Sequence, residues 1–152
     1  MKLANEYSLY SYRPTASKRS YFRLAVSPAF SRGVALIVRL DVEPGVGADV
    51  ISFEFREKPL ASIMRLTSNQ ASEFEKAFLA TDFTPASYPK IDYENERRVV
   101  TIGIRDGHGW LFESLVNGKY RCMERSAHEA GTFQDMARLL LKLAGKDTNA
   151  FR

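Results

Sequence analysis

The stretch "GWLFESLVNGKYRCMER", residues 109–125, constrains this chain more than any other. Asn117-Gly118 between two strand-like runs suits a type I′ hairpin turn, because both central positions need positive φ. That turn sets a register in which Val116 opposes Lys119, Glu113 opposes Cys122 and Trp110 opposes Arg125. One face then carries Trp110, Phe112, Ser114, Val116, Lys119, Arg121, Met123 and Arg125. The other carries Leu111, Glu113, Leu115, Tyr120, Cys122 and Glu124. Strand side chains alternate, so each set enters the core or leaves it together.

The turn before the hairpin decides between the two sets. Val100, Ile102 and Ile104 are expected to point inward. A two-residue Asp106-Gly107 loop would carry Leu111, Leu115 and Tyr120 inward together with Glu113 and Glu124. Trp110, Phe112 and Met123 would then form an exposed binding stripe, ringed by His108, Lys119, Arg121 and Arg125. A three-residue Gly107-His108-Gly109 loop puts Trp110, Phe112 and Met123 inside and both glutamates outside. Burying a large apolar side chain contributes roughly 1.5–3 kcal/mol, and an unpaired buried carboxylate costs at least as much. Both terms favour the three-residue loop. Arg121 and Arg125 then lean toward the core side, where Arg125 is expected to snorkel to the rim or stack on Trp110.

Around the hairpin the pattern is of strands followed by a helix, twice. Residues 5–12 and 20–26 read as strands, and "VALIVRLDV" from Val34 places Val34, Leu36, Val38, Leu40 and Val42 on one parity. "EPGVG" is a turn. "VISFEFRE" and "LASIMRL" continue the strands. Thr67 and Gln70 form a candidate capping box for a helix over 68–80, with Ala71, Phe74, Ala77 and Phe78 on one face. "TDFTPASYPKIDYENE", residues 81–96, reads as a long surface loop, and "RRVVTIGIRD" as a strand. A second helix is expected over 132–144, with Thr132 as N-cap, Asp135 near its N-terminus and Gly145 as its stop. The expected fold is α+β, an antiparallel sheet with two amphipathic helices on one face. It is a candidate duplication of a strand-strand-strand-helix unit, in topology rather than in residue identity. One domain covers 1–145, and 146–152 is expected to be a flexible tail.

The 152 residues suit one domain that needs no disulfide or metal. Cys122 is the only cysteine, which fits a reducing cytosol and makes a cytoplasmic location the expectation. No run of 18 apolar residues exists to cross a membrane, and the polar, tyrosine-rich start lacks a signal peptide's apolar stretch. Charge is uneven. Residues 1–40 hold seven Lys/Arg against one acidic residue, so that the other 112 residues sum to −2 of the total +4. The block W-x-x-E at Trp110–Glu113, N-G-K-Y at Asn117–Tyr120 and then Arg125, ahead of a Leu-rich helix, resembles the C-terminal part of small uncharacterised bacterial proteins. The resemblance covers residues 106–145 and implies no activity.

No P-loop, G-x-S-x-G, H-E-x-x-H or C-x-x-C pattern occurs, and one Cys with two His makes no tetrahedral metal set, so neither cofactor nor metal is expected. The catalytic candidates are few. Glu113 and Glu124 lie diagonally on one hairpin face, at a spacing that paired-carboxylate chemistry uses. Cys122 is a candidate nucleophile only if His108 or His128 reaches it. Nucleic-acid binding would draw on Tyr10, Tyr12, Arg13, Lys18 and Arg19, with Tyr7, Tyr21 and Arg23 beside them, aromatic rings stacking while cations meet phosphates. The leading expectation is a non-catalytic protein-binding module of the adaptor or immunity sort. Its candidate contacts are Tyr88 and Tyr93 in the long loop and Trp110, Arg121 and Arg125 in the hairpin.

Overall fold

A computed structural model of the chain describes residues 9, 18–28, 33–83, 91–94, 97–100, 109–127 and 129–151. Six strands form one antiparallel sheet: β1 (Ser20–Ser27), β2 (Leu36–Glu43), β3 (Gly47–Glu54), β4 (Leu60–Leu66), β7 (Gly109–Val116) and β8 (Lys119–Ser126). Their spatial order is β4-β3-β2-β1-β7-β8, so β1 lies between β2 and β7. Helix α1 (Ser68–Ala80) follows β4, and α2 (Thr132–Leu143) follows β8. Two short strands, β5 (Ile91–Glu94) and β6 (Arg97–Val100), pair, among the described residues, with each other. Among the described residues the second half of the chain therefore gives two strands to the main sheet, where the first gives four.

The long loop expected over 81–96 is thus corrected. Ile91–Glu94 holds a β-branched and an aromatic residue at alternate positions and pairs with the strand that follows. Within the loop Tyr88 lies outside the described residues, as do Ile102 and Ile104. The strand expected over 5–12 does too, apart from Leu9.

One parity of every main strand faces the helices. Phe22, Leu24, Leu36, Val38, Leu40 and Val50 form a single buried cluster with Trp110, Phe112 and Met123. Phe74 and Phe78 of α1 and Phe133, Met136, Ala137, Leu140 and Leu141 of α2 belong to the same cluster. Phenylalanine rings bind it together: Phe22 meets Phe74 at 5.0 Å and Phe78 at 4.8 Å in edge-on contacts.

Local chemistry sets the ends of these elements. Thr67 and Gln70 complete the capping box reciprocally, at 3.2 Å and 2.9 Å. Asn117 (φ 51°) and Gly118 (φ 72°) both take the left-handed conformation that the I′ turn demands. At the end of α2, Gly145 (φ 69°) closes a Schellman motif, its N–H donating to Lys142 and the N–H of Lys146 to Leu141.

Two details depart from expectation. Thr132 does not cap α2; Gly131 occupies that position, and the Thr132 Oγ1 accepts from the Asp82 N–H at 3.0 Å, tying the exit of α1 to the start of α2. The tail after α2 is anchored rather than free: Lys146 pairs with Glu54, and Thr148–Phe151 form a short 3₁₀ helix.

Candidate functional site

The hairpin takes the register in which Trp110, Phe112 and Met123 point to the helices. Trp110 is fully buried, so it builds the core and is not a contact for a partner. The cation over its ring is Arg138 of α2, at 5.8 Å, a role expected of Arg125. Arg125 instead donates to its neighbour's carbonyl, Glu124 O, at 3.0 Å. Arg121 is exposed and lies 5.6 Å from the Phe83 ring.

The same register was expected to leave Glu113 in solvent, and here the fold differs. Glu113 has no exposed surface. The β1–β7 register sets Arg23 directly opposite it, and the Arg23 guanidinium donates to its Oε2. The Tyr120 hydroxyl donates to Oε1 at 2.7 Å. Two charges leave water together here, and their attraction offsets a desolvation cost that neither would bear alone. Glu124 stands diagonally across the hairpin, half-buried. The two carboxylates share a face as expected, but both oxygens of Glu113 already accept hydrogen bonds, from Arg23 and from Tyr120. Cys122 is a half-buried thiol outside any disulfide, packed against the Ala25–Ile37–Leu111 cluster. Both histidines lie outside the described residues.

The basic N-terminal set is described only in part. Tyr7, Tyr10, Tyr12 and Arg13 lie outside the described residues. Lys18 and Arg19 are exposed, and Arg19 donates to Glu43 at 2.8 Å. Arg23 is spent on Glu113, and Tyr21 packs beside Leu9 and Leu115.

The sequence reading left open whether the sheet face opposite the helices is free or covered, and it missed the β4 edge. Three rows of paired residues cross all six strands from β4 to β8 on that face. The first runs Ala61, Phe53, Ile37, Ala25, Leu111, Glu124; the second Ile63, Ile51, Arg39, Arg23, Glu113, Cys122; the third Arg65, Asp49, Asp41, Tyr21, Leu115, Tyr120. Three acids in these rows, Glu113, Asp49 and Asp41, have arginine or tyrosine partners within reach. Arg65 grips Asp49 at 3.0 and 3.1 Å and the Val46 carbonyl at 2.6 Å. It lies across Gly47 (φ 140°) so closely that a Cβ there would collide with the guanidinium. Arg39 binds Asp41 at 2.8 Å. Burial holds the Asp41 carboxyl above its ordinary value, an effect that Arg39 reduces without cancelling.

The polar rows are therefore internally balanced, and the apolar excess sits at one edge. Six of the seven β4 residues are exposed, Leu66 being the exception. Of the five large apolar residues that are exposed among those described, three are on β4: Ile63 at 67%, Leu60 at 51% and Met64 at 44%. A fourth, Val46, sits in the β2–β3 turn whose carbonyl Arg65 holds. The opposite edge, β8, is lined instead by Lys119, Arg121, Glu124 and Arg125, the usual protection of an exposed strand. The sequence signal for the β4 edge was present in "LASIMRL": apolar residues on both parities, which no single buried face can absorb.

One open groove of about 450 Å³ lies beside α2, lined by Arg138, Leu139, Lys142, Lys146, Asp147 and Thr148. Its cations are partly engaged: Lys146 with Glu54, and Arg138 with the Ala127 carbonyl at 3.3 Å. Among the described residues no group of three or more His, Cys, Asp or Glu is placed to hold a metal ion, and no helix is long and apolar enough to cross a membrane. The chain matches no protein-family model, and no curated protein matches it in sequence.

Proposed function

We propose that this chain is a small non-catalytic protein-binding module, adaptor- or immunity-like, whose contact strip is the β4 edge. The observation that carries the reading is the concentration of exposed Leu60, Ile63 and Met64 on a strand hydrogen-bonded, among the described residues, on one side only. An edge of this kind offers both unpaired backbone groups and apolar side chains, the two ingredients of strand addition. Neutralisation of Glu113 by Arg23 and Tyr120 supports the non-catalytic part of the reading. Arg121, exposed on the far edge, is reassigned from binding contact to edge protection.

Affinity purification from the native host, with the unaltered chain and with Ile63→Lys side by side, tests the proposal. A stoichiometric protein held by the first and lost with the second is the expected result. Retention of the same proteins by both, or co-purifying nucleic acid in their place, would overturn it.

A further inference from the structure

We infer that the partner at β4 is a second copy of this chain, the two β4 strands pairing antiparallel about a two-fold axis through Ile63. This rests on the protein-binding reading above and names its partner.

The first argument is where the apolar surface lies. Ile63 projects from the face opposite the helices, while Leu60 and Met64 project from the helix side. A helix or loop laid on either face would cover only one of these groups. A strand added in the plane of the sheet brings side chains to both, because its own residues alternate.

The second argument is register. Along a strand, alternate residues turn their N–H and C=O groups to opposite sides, so two edges pair only when residues of like orientation face each other. For two copies related by a two-fold axis, this requires the axis to pass through a residue, not between residues. Centring it on Ile63 pairs all of Leu60–Leu66. Moving it by one residue either way pushes the pairing into Pro59, which has no N–H to give, or past Thr67 into the capped start of α1.

The third argument is charge. In this register Ile63 meets Ile63, Leu60 meets Leu66 and Arg65 meets Ala61, so no like charges face each other. Arg65 is the strand's one charged residue, and Asp49 of its own protomer already neutralises it. Isologous contacts need such a self-complementary patch, and the result is a continuous twelve-stranded sheet.

The test uses the full chain. Sedimentation or light scattering should give a concentration-dependent mass approaching twice 17.2 kDa, and Ile63→Lys should return it to the monomer with the circular dichroism unchanged. Leu79→Lys, which alters an exposed apolar residue on α1 away from the strand, should leave the dimer intact. In a Cys122→Ser background, Ile63→Cys should oxidise to a disulfide dimer, since directly opposed Cα atoms stand ~4.5–5.5 Å apart. Leu60→Cys should not, its two copies being ~20 Å apart at 3.3 Å per residue.

A monomer at the highest attainable concentration would overturn the inference, as would a dimer indifferent to Ile63→Lys or one cross-linked through Leu60→Cys. A monomer that captures a different protein, and loses it on Ile63→Lys, would overturn self-pairing while sustaining the protein-binding reading. A monomer whose captured proteins ignore Ile63→Lys would end both.

Discussion

Replacing Glu113 by Ala should cost this protein about 3–5 kcal/mol, the range for breaking a buried ion pair from one side. The magnitude follows from the surroundings. Glu113 has no exposed surface and the Arg23 side chain has 8%, so water cannot take the place of the missing carboxylate. Arg23→Ala should cost a similar amount by removing the cation opposite Glu113, to which the neutral Tyr120 hydroxyl still donates. The double change Arg23→Met with Glu113→Leu removes both charges and keeps apolar volume, so it should lose far less than the two single losses added together. Domains of this kind are stable by about 5–15 kcal/mol, so the single variants should unfold at visibly lower urea. Trp110, the only tryptophan and fully buried, reports the transition by fluorescence. Single variants losing under about 1 kcal/mol, or a double variant no better than their sum, would refute the reasoning, because a mutually dependent pair must show coupling.

Other expectations follow from the same structure. Thr67→Ala should cost about 1 kcal/mol by removing the α1 cap, read from urea midpoints, whereas Thr132→Ala should not behave as a cap deletion. Gly145→Ala should cost about 1–2 kcal/mol from backbone conformation alone, as there is open space for its methyl group. Asp41 holds its proton to higher pH when folded than when unfolded. Its contribution therefore falls as pH rises from the ordinary 3.8 through the raised folded value, and Asp41→Asn should flatten that part of the stability–pH curve. Phe112→Ala should cost about 3–5 kcal/mol by opening a cavity among Phe22, Phe78, Phe83 and Phe133.

Features governed by neighbours in the chain were legible before any coordinates. The Thr67–Gln70 box, the Asn117-Gly118 turn and the Gly145 stop each depend on the conformational limits of a few adjacent residues. The inward set Trp110, Phe112 and Met123 was legible too, since only one parity of the hairpin buries its rings without dragging two carboxylates along. The fate of Glu113 was not. It depends on Arg23, ninety residues earlier, arriving opposite it when β1 slots between β2 and β7. Thr132 was likewise misread, because the partner of its hydroxyl is Asp82 at the end of another helix.

By itself the sequence determined the six strands of the main sheet, the two helices, the Thr67 and Gly145 ends and which strand parity is apolar, because backbone sterics and side-chain alternation act over a few residues. Only the tertiary structure decided that β4 ends the sheet with Leu60, Ile63 and Met64 uncovered, and that Arg23 and Glu113 share a buried site. Strand order and inter-strand register bring together residues far apart in the chain, and no local preference encodes which strand is left without a neighbour.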